Sequence, residues 1–154
     1  MPLNDMIYLV TDLTRYEIAD QIVQSKDDDF RNLTIKGDRH TRRTKLILQG
    51  LLILVVRDVY YDFDLPDIEM IPDLVIDVDF QSIDRAKTMP VIIRSVMALA
   101  DIENIDITWV HREKEIILLF RNEELRLRSG FKLWNQENLS NISFSFKWDN
   151  LPDY

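Results

Sequence analysis

The sequence predicts an α+β fold, a single domain over residues 1–154 in which a mostly antiparallel sheet of four to five strands packs against two to three helices. Three observations carry this prediction. Apolar residues recur at helical spacing through the first half, about 12–61, whereas they alternate with polar residues through the second half, about 73–148. The 154 residues are 46% apolar and include no cysteine, so one buried core forms without disulfides.

The first helix is predicted over 12–26. Leu13, Ile18 and Ile22 follow its apolar stripe at spacings of three to five residues. Three adjacent aspartates at 27–29 would oppose the negative end of the helix dipole, so the helix is expected to end before them.

A second, buried helix is predicted over 41–61, after a short strand at 32–36. Residues 41–61 are apolar almost all round, which suits a central helix. A central strand is the alternative, because 46–56 holds four β-branched residues and Gly50 costs a helix about 1 kcal/mol relative to alanine. Eleven residues exceed the usual length of a strand, so the helix is preferred.

Five strands and one helix are predicted in the second half of the chain. Most of these strand segments alternate apolar with polar residues, as a strand with one buried face does, and 105–110 and 115–120 flank the charged turn 112–114 as an antiparallel hairpin would. The helix, 82–100, contains Pro90, so it either bends there or begins near Met89. The strand segments are 73–80, 105–110, 115–120, 124–128 and 141–148.

Charge is distributed unevenly along the chain. The net charge is −8, yet residues 58–84 contain nine carboxylates and no lysine or arginine, so this stretch carries −9 and the remainder sums to +1. Residues 30–45 hold six cations and one carboxylate, a balance of +5. We therefore expect separate acidic and basic regions on the folded surface, and such fields steer association with charged partners.

This asymmetry predicts a non-enzymatic protein–protein interaction module that acts through its charged surfaces. Two forms fit the sequence. One is an assembly component whose acidic and basic patches meet between subunits by self-association, and the other is an acidic inhibitor or immunity-type protein that covers a basic site on a protein partner. The predicted partner-binding residues are Asp62, Asp64, Asp67, Glu69, Arg39, Arg42 and Arg43.

Two alternatives remain open. The basic segment 31–45 is suited to nucleic-acid phosphates, although the net charge of the protein opposes approach to a polyanion. Asp77 and Asp79 share one strand face, with Cβ atoms about 7 Å apart, and carboxylates so placed could serve a divalent-metal-dependent, nuclease-like enzyme. A solvated acidic face is the preferred interpretation, so no metal is predicted.

The sequence lacks the residues or motifs that several other classes of enzyme require. Without cysteine there is no thiol nucleophile or thiolate metal site. Gly37, Gly50 and Gly130 are too dispersed for a phosphate-binding loop, and His40 and His111 are predicted to be ordinary surface groups. We therefore expect no enzyme, no catalytic residue and no cofactor. The opening residues lack a secretion signal and every apolar run is too short for a membrane span, which predicts a cytoplasmic protein without a membrane partner.

Overall fold

The computed structural model describes residues 4–24, 33–38, 43–48, 52–59, 69–80 and 85–153. Within these ranges the chain forms one sheet of nine strands and three helices. The strands are β1 (Asp5–Val10), β2 (Leu33–Asp38), β3 (Arg43–Leu48), β4 (Leu52–Asp58), β5 (Leu74–Phe80), β6 (Asp106–His111), β7 (Glu115–Arg121), β8 (Glu124–Arg128) and β9 (Phe146–Asp149). The helices are α1 (Arg15–Gln24), α2 (Arg85–Ala100) and α3 (Gln136–Leu139).

The first strand lies in the middle of the sheet. The strand order is β2-β3-β4-β5-β1-β6-β7-β8-β9, and β1 is antiparallel to both β5 and β6. All other neighbours are antiparallel except β8 and β9, which run parallel. Because β5 and β6 flank β1 in the same direction, α2 is the crossover that connects them.

The main core lies between the sheet and the helices. Strand residues of one face, among them Leu46, Ile76 and Trp109, pack with Ile18 of α1 and Ile92 of α2, and all five are essentially inaccessible to solvent. Burying an aliphatic side chain of this size stabilises the fold by roughly 1.5–3 kcal/mol. Successive side chains along each strand point to opposite faces, so the register of the strands determines which of them meet the helices.

The opposite face of the sheet is covered differently in its two halves. Over the central strands, Tyr8, Val75 and Val110 form a second apolar cluster beneath Met70 and Leu151. Over β2, β3 and β4, outward side chains of β3 and β4 remain exposed or half-buried. This difference leaves the half of the face formed by β2–β4 accessible.

The predicted fold class is wrong in its proportions. The sequence predicted four to five strands in the second half and a helical first half, but nine strands extend through the whole described chain. Helix α1 and the strand segments predicted at 32–36, 73–80, 105–110, 115–120 and 124–128 are confirmed, with shifted ends. Of the segment 141–148 only 146–148 is strand, in β9, and β1 was not predicted. Its apolar stretch is short, and a strand paired on both sides gains its stability from residues distant in the sequence.

The buried helix predicted over 41–61 is also wrong. Residues 43–48 and 52–58 form two adjacent antiparallel strands, β3 and β4, in which Leu48 pairs with Leu52. Because the run 46–56 is divided between two strands, its length of eleven residues is no longer an argument against strand structure. The run appears apolar all round because Ile47, Ile53 and Val55 occupy its outer face.

Helix α2 contains Pro90 in its interior and begins earlier than Met89, at Arg85. In the described ranges, no helix combines the length and the apolar character that crossing a membrane requires.

Candidate functional site

Four cations lie on the accessible half of the outer sheet face. Arg43 and Lys45 are exposed residues of β3 that alternate with the buried Thr44 and Leu46. The exposed Lys36 of β2 lies directly opposite Lys45, and Arg57 of β4 lies directly opposite Arg43. We call this region the β2–β4 surface and define it by Lys36, Arg43, Lys45, Ile47, Ile53, Val55 and Arg57.

Like charges in directly opposed positions destabilise a sheet, by roughly 0.2–1 kcal/mol for each pair. The positive charge of Arg57 is neutralised by an ion pair, because its Nε lies 2.7 Å from Asp77 Oδ2 on β5. Lys36, Arg43 and Lys45 form no ion pair with any residue that the structure describes. Arg43 also lies directly opposite Asp38 of β2, so the opposed like charges without a described counter-charge are Lys36 and Lys45.

Apolar side chains lie among these cations. Ile47 of β3 pairs with Ile53 of β4, and Val55 pairs with Lys45. The three aliphatic residues are half-buried and face away from the helices. An apolar centre with charged neighbours is the composition of protein-binding surfaces.

The structure describes two of the seven predicted partner-binding residues. Arg43 belongs to the β2–β4 surface, and Glu69 is exposed in a turn, with φ 52°. The other five lie outside the described residues: Arg39, Arg42, Asp62, Asp64 and Asp67.

Several acidic groups of 58–84 have local partners. Asp58 accepts a hydrogen bond from Arg15 at 3.3 Å, and Asp77 accepts one from Arg57. Asp73 Oδ2 accepts one from the backbone N–H of Thr11 at 3.0 Å, where the chain leaves β1. The described part of the acidic stretch is thus partly neutralised within the molecule.

The alternative metal site involves Asp77 and Asp79 on the outer face of β5. Asp77 is engaged by Arg57, whose guanidinium competes with a metal ion for the carboxylate. Among the residues that the structure describes, no group of three potential ligands from His, Cys, Asp and Glu is close enough to hold a metal ion. The described geometry therefore lends this alternative no support.

A buried carboxylate on the helix side of the sheet was not predicted. Asp5 begins β1 and is completely inaccessible. It accepts hydrogen bonds from the indole N–H of Trp109 at 2.9 Å and from the backbone N–H of Arg112 at 3.1 Å. Nδ1 of His111 lies 3.1 Å from the same carboxylate. These donors compensate the loss of water that burial of a charge imposes.

His111 is therefore not the ordinary surface group that the sequence predicted. Its ring is 8% exposed and contacts Phe131 edge-on, with 5.1 Å between ring centroids. No local pattern could have revealed this contact, because Asp5 and His111 are separated by 106 positions in the chain. The pairing of β1 with β6 brings them together.

Ion pairs hold the end of the chain against β8. Arg128 bonds to Asp153 at 2.8 Å and lies 3.2 Å from Glu115. The hydrogen bond from Arg126 is the main cause that holds the pKa of the Glu124 carboxyl below its ordinary value, and Lys147 adds to it. The side chains of Arg126, Glu124 and Lys147 are largely exposed, so the contribution of their ion pairs to stability is small.

No protein-family model, curated protein or solved structure matches the chain.

Proposed function

We propose that the protein is a non-enzymatic, cytoplasmic protein-binding module whose β2–β4 surface recognises an acidic surface of a protein partner. The observation that carries the proposal is the direct opposition of Lys36 and Lys45 on an accessible sheet face. This arrangement costs stability in the free protein. Carboxylates of a partner would remove the repulsion, so the arrangement favours the bound state.

The apolar members of the surface favour a protein as the ligand. Ile47, Ile53 and Val55 offer aliphatic area that a protein interface can bury, at roughly 25 cal/mol for each Å². The surrounding cations would orient the partner and accelerate its approach. A short row of carboxylates is sufficient for this complementarity.

The acidic partner is either another protein or a second copy of this chain. For a second copy, the stretch 58–84 carries the required negative charge. Two copies related by a two-fold axis would exchange identical contacts between the β2–β4 surface of one copy and this stretch of the other. This is the assembly form of the proposal, and it requires salt-sensitive oligomers.

Nucleic acid is the second candidate, since the same cations can neutralise phosphates. The net charge of −8 opposes nucleic acid and an acidic polypeptide alike, so it does not distinguish the two ligands. The β2–β4 surface, however, contains aliphatic residues and no aromatic ring on which a base could stack. The geometry therefore favours a protein.

A direct test measures binding of a labelled polyglutamate peptide and of a labelled DNA duplex by fluorescence anisotropy. The variant Lys36→Glu/Lys45→Glu reverses the opposed pair, and we expect its affinity for polyglutamate to fall about 30-fold, taking about 1 kcal/mol for each reversed charge. The control, Lys87→Glu/Lys114→Glu, changes two exposed lysines elsewhere and reaches the same net charge.

The control variant should keep the affinity of the unmodified protein for polyglutamate, apart from the general loss that its more negative net charge causes. Equal losses in the two double variants would show that total charge, rather than the β2–β4 surface, governs binding. Tighter binding of the duplex than of polyglutamate, with loss in the Lys36→Glu/Lys45→Glu variant, would replace the proposal with nucleic-acid binding.

A further inference from the structure

A second region of the molecule has the features of a ligand site. An open cavity of about 440 Å³ lies beside the turn between β6 and β7 and the segment after β8. Its volume falls within the range of small-molecule sites. We call it the His111 cavity, and its walls are formed by His111, Arg112, Glu115, Arg128, Ser129, Gly130, Phe131, Lys132 and Leu133.

The buried carboxylate determines the hydrogen-bonding role of His111. Trp109 Nε1 and the backbone nitrogen of Arg112 are obligatory donors, so Asp5 acts as an acceptor towards both. Nδ1 of His111 must then donate to the same carboxylate. Within the part of the chain that the structure describes, Nε2 has no hydrogen-bond partner and is not among the fully buried polar atoms. It is therefore available to a ligand.

The unpaired charge of the walls is positive. Glu115 is engaged by Arg128, which also binds Asp153. The side chains of Arg112 and Lys132 are exposed and form no ion pair with a described residue. Two cations and an imidazole nitrogen thus line the same cavity.

The turn between β6 and β7 fixes the position of Arg112. Arg112 and Glu113 both adopt left-handed backbone conformations, with φ 50° and 56°. This is the geometry of a type I′ hairpin turn, which the hydrogen bond from the Lys114 N–H to the His111 carbonyl closes at 3.0 Å. Here Asp5 holds the Arg112 N–H at 3.1 Å, which positions Arg112 next to His111.

We propose that the His111 cavity binds a phosphoryl group. Arginine and lysine are the common ligands of phosphate oxygens, and Nε2 of His111 would add a third hydrogen-bonding atom. Phe131 and Leu133 form the apolar part of the wall, which would accommodate the carbon portion of a phosphate monoester. This site is separate from the β2–β4 surface, and neither proposal depends on the other.

The test follows the His111 ring signals by NMR during titration with inorganic phosphate and with phenyl phosphate. We expect a saturable shift of these signals with both probes. Equal affinities for the two probes would show that the site recognises only the phosphate oxygens. Tighter binding of phenyl phosphate would show that the site also recognises the organic group of a phosphate monoester. Absence of a saturable shift with both probes would overturn the proposal.

Three variants each remove one donor, and we expect phosphate affinity to fall about tenfold in each. Arg112→Asn retains a residue that tolerates a left-handed backbone, Lys132→Met retains chain length, and His111→Asn retains an amide donor for Asp5. The first two leave the Asp5 contacts in place and keep the test valid if the third unfolds. For these variants, amide signals of Ser129 and Gly130 report binding.

The matched control is Lys87→Met, which removes an exposed lysine of α2 outside the cavity. It should bind phosphate like the unmodified protein. Unchanged affinity in Arg112→Asn and Lys132→Met, or an equal loss in Lys87→Met, would contradict the site. The Lys36→Glu/Lys45→Glu variant should still shift the ring signals, which separates this result from the test of the β2–β4 surface.

Discussion

Replacement of Asp5 by alanine should lower the free energy of unfolding by about 3–5 kcal/mol, because each buried donor that loses its acceptor costs about 1–3 kcal/mol. The change leaves the indole N–H of Trp109 and the backbone N–H of Arg112 without their acceptor. Neither N–H then has a hydrogen-bond acceptor to replace the water that it lost on folding. His111 also loses the carboxylate beside its ring. Since small domains are stable by about 5–15 kcal/mol, the variant should retain little stability.

Urea unfolding followed by circular dichroism measures this effect. Asp12→Ala is the matched control, because it removes an exposed aspartate that follows the same strand, and we expect a change within about 0.5 kcal/mol. A loss below about 1 kcal/mol in Asp5→Ala would show that the buried carboxylate does not secure the centre of the sheet.

Replacement of Trp134 by alanine should cost about 3–5 kcal/mol, as large-to-small changes of buried aromatic residues do. Trp134 is 6% exposed, and its indole N–H donates to the carbonyl of Ile117 at 3.0 Å. Its ring meets Trp109 edge-on, with 5.9 Å between centroids. Through this hydrogen bond and this ring contact, Trp134 packs the segment after β8 against the core of the sheet.

Two substitutions separate the contributions of Trp134 in the same unfolding assay. Trp134→Phe retains much of the packing but loses the hydrogen bond, so a smaller loss is expected than in Trp134→Ala. Trp148→Ala removes a tryptophan that is 50% exposed on β9 and should cost less than either. Equal losses in Trp134→Ala and Trp148→Ala would contradict the role assigned to Trp134.

Strand β8 could be predicted because it has one buried face. Leu125 and Leu127 are buried and Arg126 is exposed, so the alternation is visible in the sequence. Strands β6 and β7 are buried on both faces, and the charged turn 112–114 between them indicated their hairpin. In β3 and β4 the outer face also carries apolar residues, which conceals the alternation in the continuous run 46–56. The aliphatic residues that obscured these strands are those assigned to the β2–β4 surface.

The candidate sites depended on contacts between distant segments. The sequence identified a basic segment and included Arg43 among the binding residues, but the opposition of Lys36 and Lys45 requires the register of β2 and β3. The neighbourhood of Asp5 and His111 was hidden for the same reason, since it arises only when β1 pairs with β6. Local patterns contain no information about such pairings.

The central claim is that an acidic polypeptide binds the β2–β4 surface, and NMR mapping of the amide signals during a polyglutamate titration tests it most directly. Saturable shifts should be largest at Lys36, Lys45 and Val55, at salt concentrations where the Lys36→Glu/Lys45→Glu variant shows none. Shifts that are largest on β8 and β9, or that are equally strong in that variant, would contradict the claim.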